Sequence, residues 1–306
     1  MAATPWKRKD LIGLRELSAS EIETILDAAV VFKNSPEKNS QNQILLGRRL
    51  AFLFSEPSTR TRSSFVIAAL NLGAHVLGFS TASSSLHKGE TLLDTIKNLE
   101  AMGAQYLIVR HDQSGVLDSL SALTQASLVN AGDGAHEHPT QALLDLFTLR
   151  EKRGSLKGLK VVIIGDILHS RVARSNIFGL RKFGARVTVC GPMSLIPKGI
   201  ETLGVTVSHD LNAALKGADA VNVLRLQIER QNQNLIASPG YYFLAYGLTA
   251  ERLALAKPGC LVLHPGPMNR GVEIESEVAD GPQSVILEQV ANGVSVRMAV
   301  LSLLKP

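Results

Sequence analysis

The sequence predicts an α/β protein of two domains, each a parallel β-sheet flanked by helices. Two observations predict this fold class. Apolar runs of strand length alternate with segments of helical periodicity along the chain, a pattern typical of parallel sheets. The 306 residues exceed the length of an ordinary single domain, and a charged stretch with two glycines interrupts the pattern at residues 151–158. We therefore place the domains at 1–150 and 151–306.

Local signals mark the elements of the first half. Ser18 and Glu21 have the spacing of a capping box at the start of a helix. The apolar face expected for this helix consists of Ile22, Ile25, Leu26, Ala29 and Val30. Strands are expected at residues 49–54, 73–79, 104–109 and 127–130, and further helices after Pro57, over residues 91–102 and from Pro139.

The second half repeats the alternation. Strands are expected at residues 160–164, 186–190, 205–207, 220–224 and 260–264, with helices between residues 171 and 183 and over residues 211–216. The polar segment 227–239 is of the kind that closes over ligands. Residues 284–306 are predicted to form an amphipathic helix that packs back on the first domain.

Composition favours a globular protein that binds small anions. Hydrophobic residues make up 45% of the chain, and the net charge of +5 is not gathered in a long basic block, so we expect no nucleic-acid partner. The chain has no run of membrane-spanning length, and residues 1–14 lack a signal-peptide pattern, which indicates a cytoplasmic protein without a membrane partner. Cys190 and Cys260 have no CxxC spacing and are expected to be buried free thiols in a reducing compartment.

The most distinctive run is Ser58-Thr59-Arg60-Thr61-Arg62, at the junction of a predicted strand and a predicted helix. Backbone N–H groups and the helix dipole favour an anion at such a junction. Arginine binds phosphate in a bidentate manner, and small hydroxyls reach the remaining oxygens. We interpret the run as a phosphate cradle. The alternative is a solvated turn or a kinase target.

Other polar groups follow the predicted strands, where ligands of open α/β sheets bind. They are Arg110, residues 138–141, Arg171, Arg225 with Gln227, and residues 264–267. With the cradle they form a strongly cationic set drawn from both halves, so we expect the active site between the domains. Such a set suits substrates that carry a phosphate and carboxylates.

Several of these residues also have plainer interpretations. Arg110 could pair with Asp112, and Arg225 with Glu229. His138 could be a core histidine, and His264 could be only a strand-end residue. Arg171 and Lys88 could be surface residues.

Three motifs of known enzyme classes are absent from the sequence, and a metal site is one open alternative. The sequence contains no GxxxxGK[ST], no GxGxxG after residue 164 and no GxSxG, which disfavours a P-loop NTPase, a nicotinamide enzyme and a serine hydrolase. A metal site at His136 and His138 is an alternative that only Asp133 and Glu137 nearby could complete.

Six motifs together resemble the aspartate/ornithine carbamoyltransferase family. They are S-T-R-T-R at 58–62, K-G-E-T at 88–91, H-P-T-Q-x-L-x-D at 138–145, G-D-x-x-x-S-R at 165–171, V-L-R-x-Q at 223–227 and H-P-G-P at 264–267. The order is that of the family, and the resemblance runs along essentially the whole chain. Ornithine members typically carry HCLP in the closing motif and an earlier SMG signature, so this chain resembles the aspartate branch.

The resemblance implies transfer of the carbamoyl group of carbamoyl phosphate to L-aspartate, an early step of pyrimidine synthesis that needs no cofactor and no metal. It implies that the phosphate is held by Ser58, Thr59, Arg60 and Thr61. The carbamoyl carbonyl would be contacted by Thr61, Arg110 and His138, and its amide by Gln141. The aspartate would be bound by Arg171, Arg225, Gln227, Gly266 and Pro267.

The resemblance also implies a homotrimer in which Ser84 and Lys88 enter the site of the adjacent subunit. Glu56 resembles an acidic residue that steadies an arginine across the domain interface. Two positions depart from the family pattern: His87, where a second basic residue is common, and Gly266, where some relatives have leucine. A regulatory subunit or a dihydroorotase-type enzyme is a further partner of the kind this family has.

Two functional alternatives stay open at this point. One is a carbamoyltransferase with another amino acid as second substrate, against which Arg171 and Arg225 favour a dicarboxylate. The other is a non-catalytic regulator that binds phosphate or a nucleotide, which would not need the set formed by Thr61, Arg110 and His138.

Overall fold

A computed structural model describes residues 6–35, 43–78, 90–227, 236 and 238–306. The chain divides into two compact units, one of Met1–Leu144 with Ala291–Pro306 and the other of Asp145–Val290. The division falls within the helix that begins at Pro139 and continues to Arg153, upstream of the charged stretch at 151–158. The first charged residues of that stretch therefore end a helix rather than form a linker.

The first unit contains a four-stranded sheet in which all strands are parallel, in the order β2-β1-β3-β4. Its strands are β1 (Arg49–Phe54), β2 (His75–Val76), β3 (Tyr106–His111) and β4 (Ser127–Asp133). Its helices are α1 (Ala19–Asn34), α2 (Thr59–Asn71), α3 (Leu92–Ala101), α4 (Val116–Ser121) and the start of α5 (Pro139–Arg153). The predicted strand at 73–79 is reduced to two residues, and residue 79 lies outside the described ranges.

The start of α1 confirms the capping box. The Ser18 hydroxyl accepts from the backbone N–H of Glu21, and the Glu21 carboxylate accepts from the N–H of Ser18. The buried face is formed by Ile22, Ile25, Leu26, Ala29 and Phe32. Val30, which the sequence pattern placed on this face, is 36% exposed because helical rotation carries it to the edge of the apolar stripe.

The core of the first unit is built on its strands. Residues 50–54 of β1 are all buried, as expected for a strand of a parallel sheet covered on both faces. Residues 291–306 belong to the same unit, where the Arg297 guanidinium lies 5.0 Å from the centre of the Phe65 ring and Tyr106 donates to the carbonyl of Leu304.

The second unit contains a five-stranded parallel sheet in the order β7-β6-β5-β8-β9. Its strands are β5 (Lys160–Ile164), β6 (Arg186–Cys190), β7 (Thr206–Ser208), β8 (Ala220–Val223) and β9 (Leu261–Leu263). The helices are α6 (Arg171–Lys182), α7 (Leu211–Leu215), α8 (Pro239–Tyr246), α9 (Ala250–Leu253), α10 (Ser276–Ala279) and α11 (Ile286–Leu303), whose end belongs to the first unit. Apolar side chains of β5, β8 and β9 pack in one core cluster with those of α7, α9 and α10.

Gly165 directs the chain from β5 into the loop that leads to α6. Its φ of +124° is one that L side chains rarely adopt, and a Cβ there would lie 3.1 Å from the carbonyl oxygen of Leu224. Glycine at this position lets the backbone pass close to the end of β8. The carboxyl ends of two neighbouring strands are thus brought together.

Among the helices of the described ranges, none has both the length and the apolar character required to cross a bilayer.

Candidate active site

The predicted phosphate cradle lies at the N-terminus of α2. Ser58 is the N-cap residue, with an extended backbone, and its side chain makes no capping hydrogen bond within the described residues. The first-turn N–H groups of a helix have no intrahelical acceptor, so this terminus can donate hydrogen bonds to an anion. Thr61 is buried, whereas Thr59 and Arg60 are exposed.

The two arginines of the run are placed differently. Arg60 is exposed at the first turn, but the Arg62 guanidinium lies 5.2 Å from the centre of the Phe52 ring. A cation–π contact of this kind fixes Arg62 against β1. Arg60 is the arginine of the run suited to a phosphate.

Arg110 lies at the carboxyl end of β3, beside the cradle. The parallel register pairs Arg110 with Phe54, and Ser55 donates its N–H to the carbonyl of Arg110. The guanidinium lies 3.3 Å from the Glu56 carboxylate and donates to the carbonyl of Ala131. The alternative pairing with Asp112 is not formed.

Asp112 lies instead 3.0 Å from the imidazole of His111. Glu56, expected to steady an arginine across the domain interface, contacts Arg110 of its own unit in this structure.

His138 and Gln141 lie at the start of α5. His138 directly precedes Pro139, is 4% exposed, and accepts from the N–H of Gln141 through its carbonyl. β4 pairs with β3 through Asp133 and His111, which places the segment before α5 next to the end of β3. The first unit thus gathers the cradle, Arg110 and the start of α5 at one edge of its sheet.

The hydrogen bonds of Asp133 and Glu137 argue against the metal hypothesis. Asp133 accepts from His136, Asn130 and the N–H of Gly115. Burial raises the pKa of Asp133, but these hydrogen bonds outweigh it and the net pKa is lowered.

Glu137 accepts from two backbone N–H groups, those of Leu14 at 2.8 Å and Arg15 at 3.1 Å. Both carboxylates hold the protein's own donors, which indicates a structural role.

In the second unit, Arg171 and Arg225 follow neighbouring strands. Arg171 is the first residue of α6, after β5, and Arg225 follows β8, which pairs with β5. Arg171 is only 5% exposed, so the interpretation as a surface residue is wrong. Gln227 donates to the carbonyl of His169, which ties it to the loop that leads to Arg171.

His264 does not contribute a cation to this edge. It is 2% exposed, its Nδ1 accepts from the N–H of Gly266 at 2.8 Å, and its Nε2 lies 3.2 Å from Glu273. This pattern assigns a neutral imidazole with the hydrogen on Nε2. The sequence interpretation that counted His264 among the cationic groups is wrong, because its ring organises the turn that carries Gly266 and Pro267.

Sequence reasoning missed a group of buried polar residues in the second unit, formed by Asp145, Asn176, Asn222 and Gln289. A signal was present, because Asp145 interrupts the apolar run around it in the H-P-T-Q-x-L-x-D motif. Ser84, His87, Lys88 and Glu229 lie outside the described residues.

Two family models match the chain. The model described as the carbamoyl-P binding domain of aspartate/ornithine carbamoyltransferase matches residues 9–151. The model described as the Asp/Orn binding domain of the same family matches residues 157–304.

Relatives of similar length share more than half of the sequence. The chain is 56% identical over 299 residues to an aspartate carbamoyltransferase catalytic subunit of Endomicrobium trichonymphae, covering 97% of this chain and 96% of the relative. It is 57% identical over 300 residues to the subunit of the same name from Carboxydothermus hydrogenoformans, with coverage of 97% and 96%.

Solved structures resemble the chain over its whole length. Aspartate transcarbamoylase from Trypanosoma cruzi, in complex with carbamoyl phosphate and aspartate, aligns with a TM-score of 0.89 at 30% identity, covering 99% of this chain and 100% of that one. Ornithine carbamoyltransferase from Pyrococcus furiosus aligns with a TM-score of 0.88 at 30% identity, with coverage of 98% for both chains.

Proposed function

The chain belongs to the aspartate/ornithine carbamoyltransferase family, and we infer that it is an aspartate carbamoyltransferase. The reaction would transfer the carbamoyl group of carbamoyl phosphate to the amine of L-aspartate, giving N-carbamoyl-L-aspartate and phosphate. The observation that carries this inference is 56% identity to aspartate carbamoyltransferase catalytic subunits along 97% of the chain. A role in pyrimidine synthesis follows from that product.

We propose that carbamoyl phosphate binds to the first unit. Its phosphate would lie at the N-terminus of α2, against the hydroxyls of Ser58, Thr59 and Thr61 and the guanidinium of Arg60. Support comes from the exposed position of Arg60 and from the side chain of Ser58, which is not used as a helix cap among the described residues. Helix N–H groups and an arginine fork together bind a dianion.

The carbonyl group would be polarised by Thr61, Arg110 and His138, with Gln141 placed at the amide. These groups act where negative charge develops when the amine attacks the carbonyl carbon. Loss of one such donor typically costs on the order of 100-fold in turnover. The contact of Arg110 with Glu56 supports this role, because it holds the guanidinium at the edge of the sheet beside the cradle.

The two carboxylates of aspartate would be bound by Arg171 and Arg225, with Gln227 and the turn of Gly266 and Pro267 completing the pocket. Two arginines at the ends of the paired strands β5 and β8 match a dicarboxylate. They match the single carboxylate and cationic side chain of ornithine less well. This feature favours aspartate over ornithine as the second substrate.

The proposed chemistry balances without a protein nucleophile. The amine nitrogen bonds to the carbonyl carbon, the bond from that carbon to the phosphate oxygen breaks, and the electron pair leaves with phosphate. The departing phosphate is a base and accepts the amine proton. The chain's contribution is positioning and electrostatic stabilisation.

We further propose a homotrimer in which Ser84 and Lys88 complete the site of the adjacent subunit, as the family resemblance implies. A regulatory subunit or a dihydroorotase-type enzyme remains a proposed partner on the same ground. We also propose a cytoplasmic location. Cys190 and Cys260 support it, since both are buried free thiols in the structure, as is common in a reducing compartment.

The test is an assay of the purified protein with carbamoyl phosphate and either aspartate or ornithine. The expected result is equal release of phosphate and N-carbamoyl-L-aspartate with aspartate and no product with ornithine. Citrulline from ornithine without product from aspartate would contradict the inference. No product with either would favour a non-catalytic binder.

A further inference from the structure

A buried carboxylate joins segments of the second unit that are far apart in sequence. Asp145, on α5, is fully buried. Its Oδ2 accepts from Asn176 at 2.7 Å and from Asn222 at 3.2 Å, and its Oδ1 accepts from Gln289 at 2.6 Å. All three donors are at most 3% exposed.

Each donor belongs to, or holds, a segment that carries a proposed aspartate-binding group. Asn176 lies on α6, the helix that begins at Arg171. Asn222 lies on β8, three residues before Arg225. Oδ2 of Asp145 therefore accepts hydrogen bonds from the helix that begins at Arg171 and from the strand that precedes Arg225.

The third donor reaches the remaining segment. While Gln289 donates to Asp145, its Oε1 accepts from the backbone N–H of His264 at 2.9 Å. His264 in turn accepts from Gly266, as described above. The carboxylate of Asp145 thus connects through one amide to the turn of Gly266 and Pro267.

The orientation of these amides depends on charge. A carboxylate only accepts hydrogen bonds, so each amide must turn its NH₂ group toward Asp145. For Gln289 this leaves the oxygen facing His264. Hydrogen bonds to a buried carboxylate are stronger than those between neutral groups, which holds the three segments in one relative placement.

We propose that Asp145 is a positioning residue for the second substrate, setting the relative placement of Arg171, Arg225 and the Gly266 turn without touching the substrate. The proposal rests on the proposed function. A purely structural role for Asp145 predicts lower stability alone, whereas positioning predicts a specific loss of aspartate affinity. A displacement of about 1 Å at such groups can cost on the order of 100-fold.

The test compares Asp145→Asn with wild-type enzyme. An asparagine keeps the shape but turns one NH₂ group toward a donor, so the arrangement of three donors cannot be kept. We expect the KM for aspartate to rise by at least about 10-fold and the KM for carbamoyl phosphate to change by less than about 2-fold. Calorimetric titration with succinate, which is aspartate without its amine, in the presence of carbamoyl phosphate should weaken by the same factor.

Asp219→Asn is the matched control. Asp219 is a carboxylate of the same unit that accepts from the N–H of Lys160 and pairs with Lys257, at the opposite, amino-terminal end of β5 and β8. The Asp219→Asn substitution should lower the melting temperature without a selective rise in the aspartate KM. The proposal is overturned if Asp145→Asn leaves the aspartate KM unchanged, changes both KM values equally, or behaves like Asp219→Asn.

A second variant decides the matter if Asp145→Asn does not fold. Asn176→Ala removes one donor and leaves the carboxylate in place, and it should raise the aspartate KM several-fold with carbamoyl phosphate unaffected. An unchanged aspartate KM in a folded Asn176→Ala protein would overturn the proposal. Failure of the proposed function is separate, since it would be seen as no product from the wild-type protein.

Discussion

Glu56 and Arg110 form an ion pair at the carboxyl edge of the first unit's sheet, with 3.3 Å between Oε2 and Nη2. The same guanidinium donates to the carbonyl of Ala131 through Nη1 at 3.3 Å. A planar guanidinium presents its donors in fixed directions, whereas a lysine ammonium is a compact charge with rotatable donors. Arg110 is thereby directed by its neighbours before a substrate arrives.

This relationship predicts the effect of Arg110→Lys. The lysine keeps the positive charge but cannot hold Glu56, Ala131 and the developing oxyanion in the same geometry. We expect kcat to fall by about 100-fold while the melting temperature changes little. Steady-state kinetics at saturating aspartate would measure this fall in kcat.

Arg8→Lys is a control with the same local chemistry. Arg8 also contacts a carboxylate, that of Glu21 in the first turn of α1, and a backbone carbonyl, that of Glu16. The Arg8→Lys protein should be slightly less stable than wild type and should keep the wild-type kcat. Equal losses of activity in the two variants would show that Arg110 acts only as a structural residue.

Arg60→Ala should abolish most of the turnover without unfolding the protein. Arg60 is exposed at the first turn of α2, so truncation removes little buried surface but takes away the fork for the phosphate. The expected fall in kcat/KM for carbamoyl phosphate is at least about 100-fold, with Arg60→Lys intermediate.

The control for this variant is Lys97→Ala, which removes an exposed cation from α3 of the same unit. It should leave kcat/KM unchanged. If Arg60→Ala keeps wild-type kcat/KM, the phosphate does not bind at this helix terminus.

Local signals explain why much of the fold could be predicted. The capping box at Ser18 and Glu21 depends on residues three apart, and the buried strands appear as continuous apolar runs. Arg60, Arg110, Arg171 and Arg225 could be chosen as candidates because each lies at or beyond the carboxyl end of a strand, and the carboxyl ends of the parallel strands of one sheet share an edge.

Non-local contacts explain what could not be predicted. The hydrogen-bond partners of Asp145 lie 31, 77 and 144 residues away in sequence. The neutral state of His264 depends on Glu273 and on the turn at Gly266, which no spacing rule reveals. Such roles are set by which side chains the fold brings together.

The His136–Asp133 contact predicts a pH dependence of stability. The hydrogen bond that His136 donates to Asp133 raises the pKa of His136, although burial opposes it. A raised folded pKa means that the stabilisation is present below the unfolded value of about 6.5 and is lost as pH rises through the folded value. The difference in melting temperature between wild type and His136→Gln should therefore shrink between about pH 6 and pH 8.

The Asp133→Asn background provides the control. In the wild-type protein the pKa of Asp133 is lowered. The stabilisation that this carboxylate contributes is therefore lost only in the acid range, as pH falls through its folded pKa. In the Asp133→Asn background, His136→Gln should give a difference that varies much less between pH 6 and pH 8, because the hydrogen bond to Asp133 is the largest cause of the raised pKa of His136. A wild-type difference that is constant over this range would contradict the assignment.

Mixing two inactive variants tests the proposed site shared between subunits. Arg60→Ala removes the phosphate group's partner from one subunit, and Lys88→Ala removes the proposed contribution of its neighbour. In a cyclic trimer each site would take Arg60 from one chain and Lys88 from the next. After subunit exchange at equal amounts, about one quarter of the sites should then hold both native residues, and activity should recover to that level.

Each variant exchanged with itself should stay inactive, which separates complementation from residual activity. Exchange must be verified independently, by native mass spectrometry of subunits that differ in isotope content. Hybrid trimers that form without recovery would show that Arg60 and Lys88 do not come from different subunits, because a site built within one chain can never regain both residues by mixing.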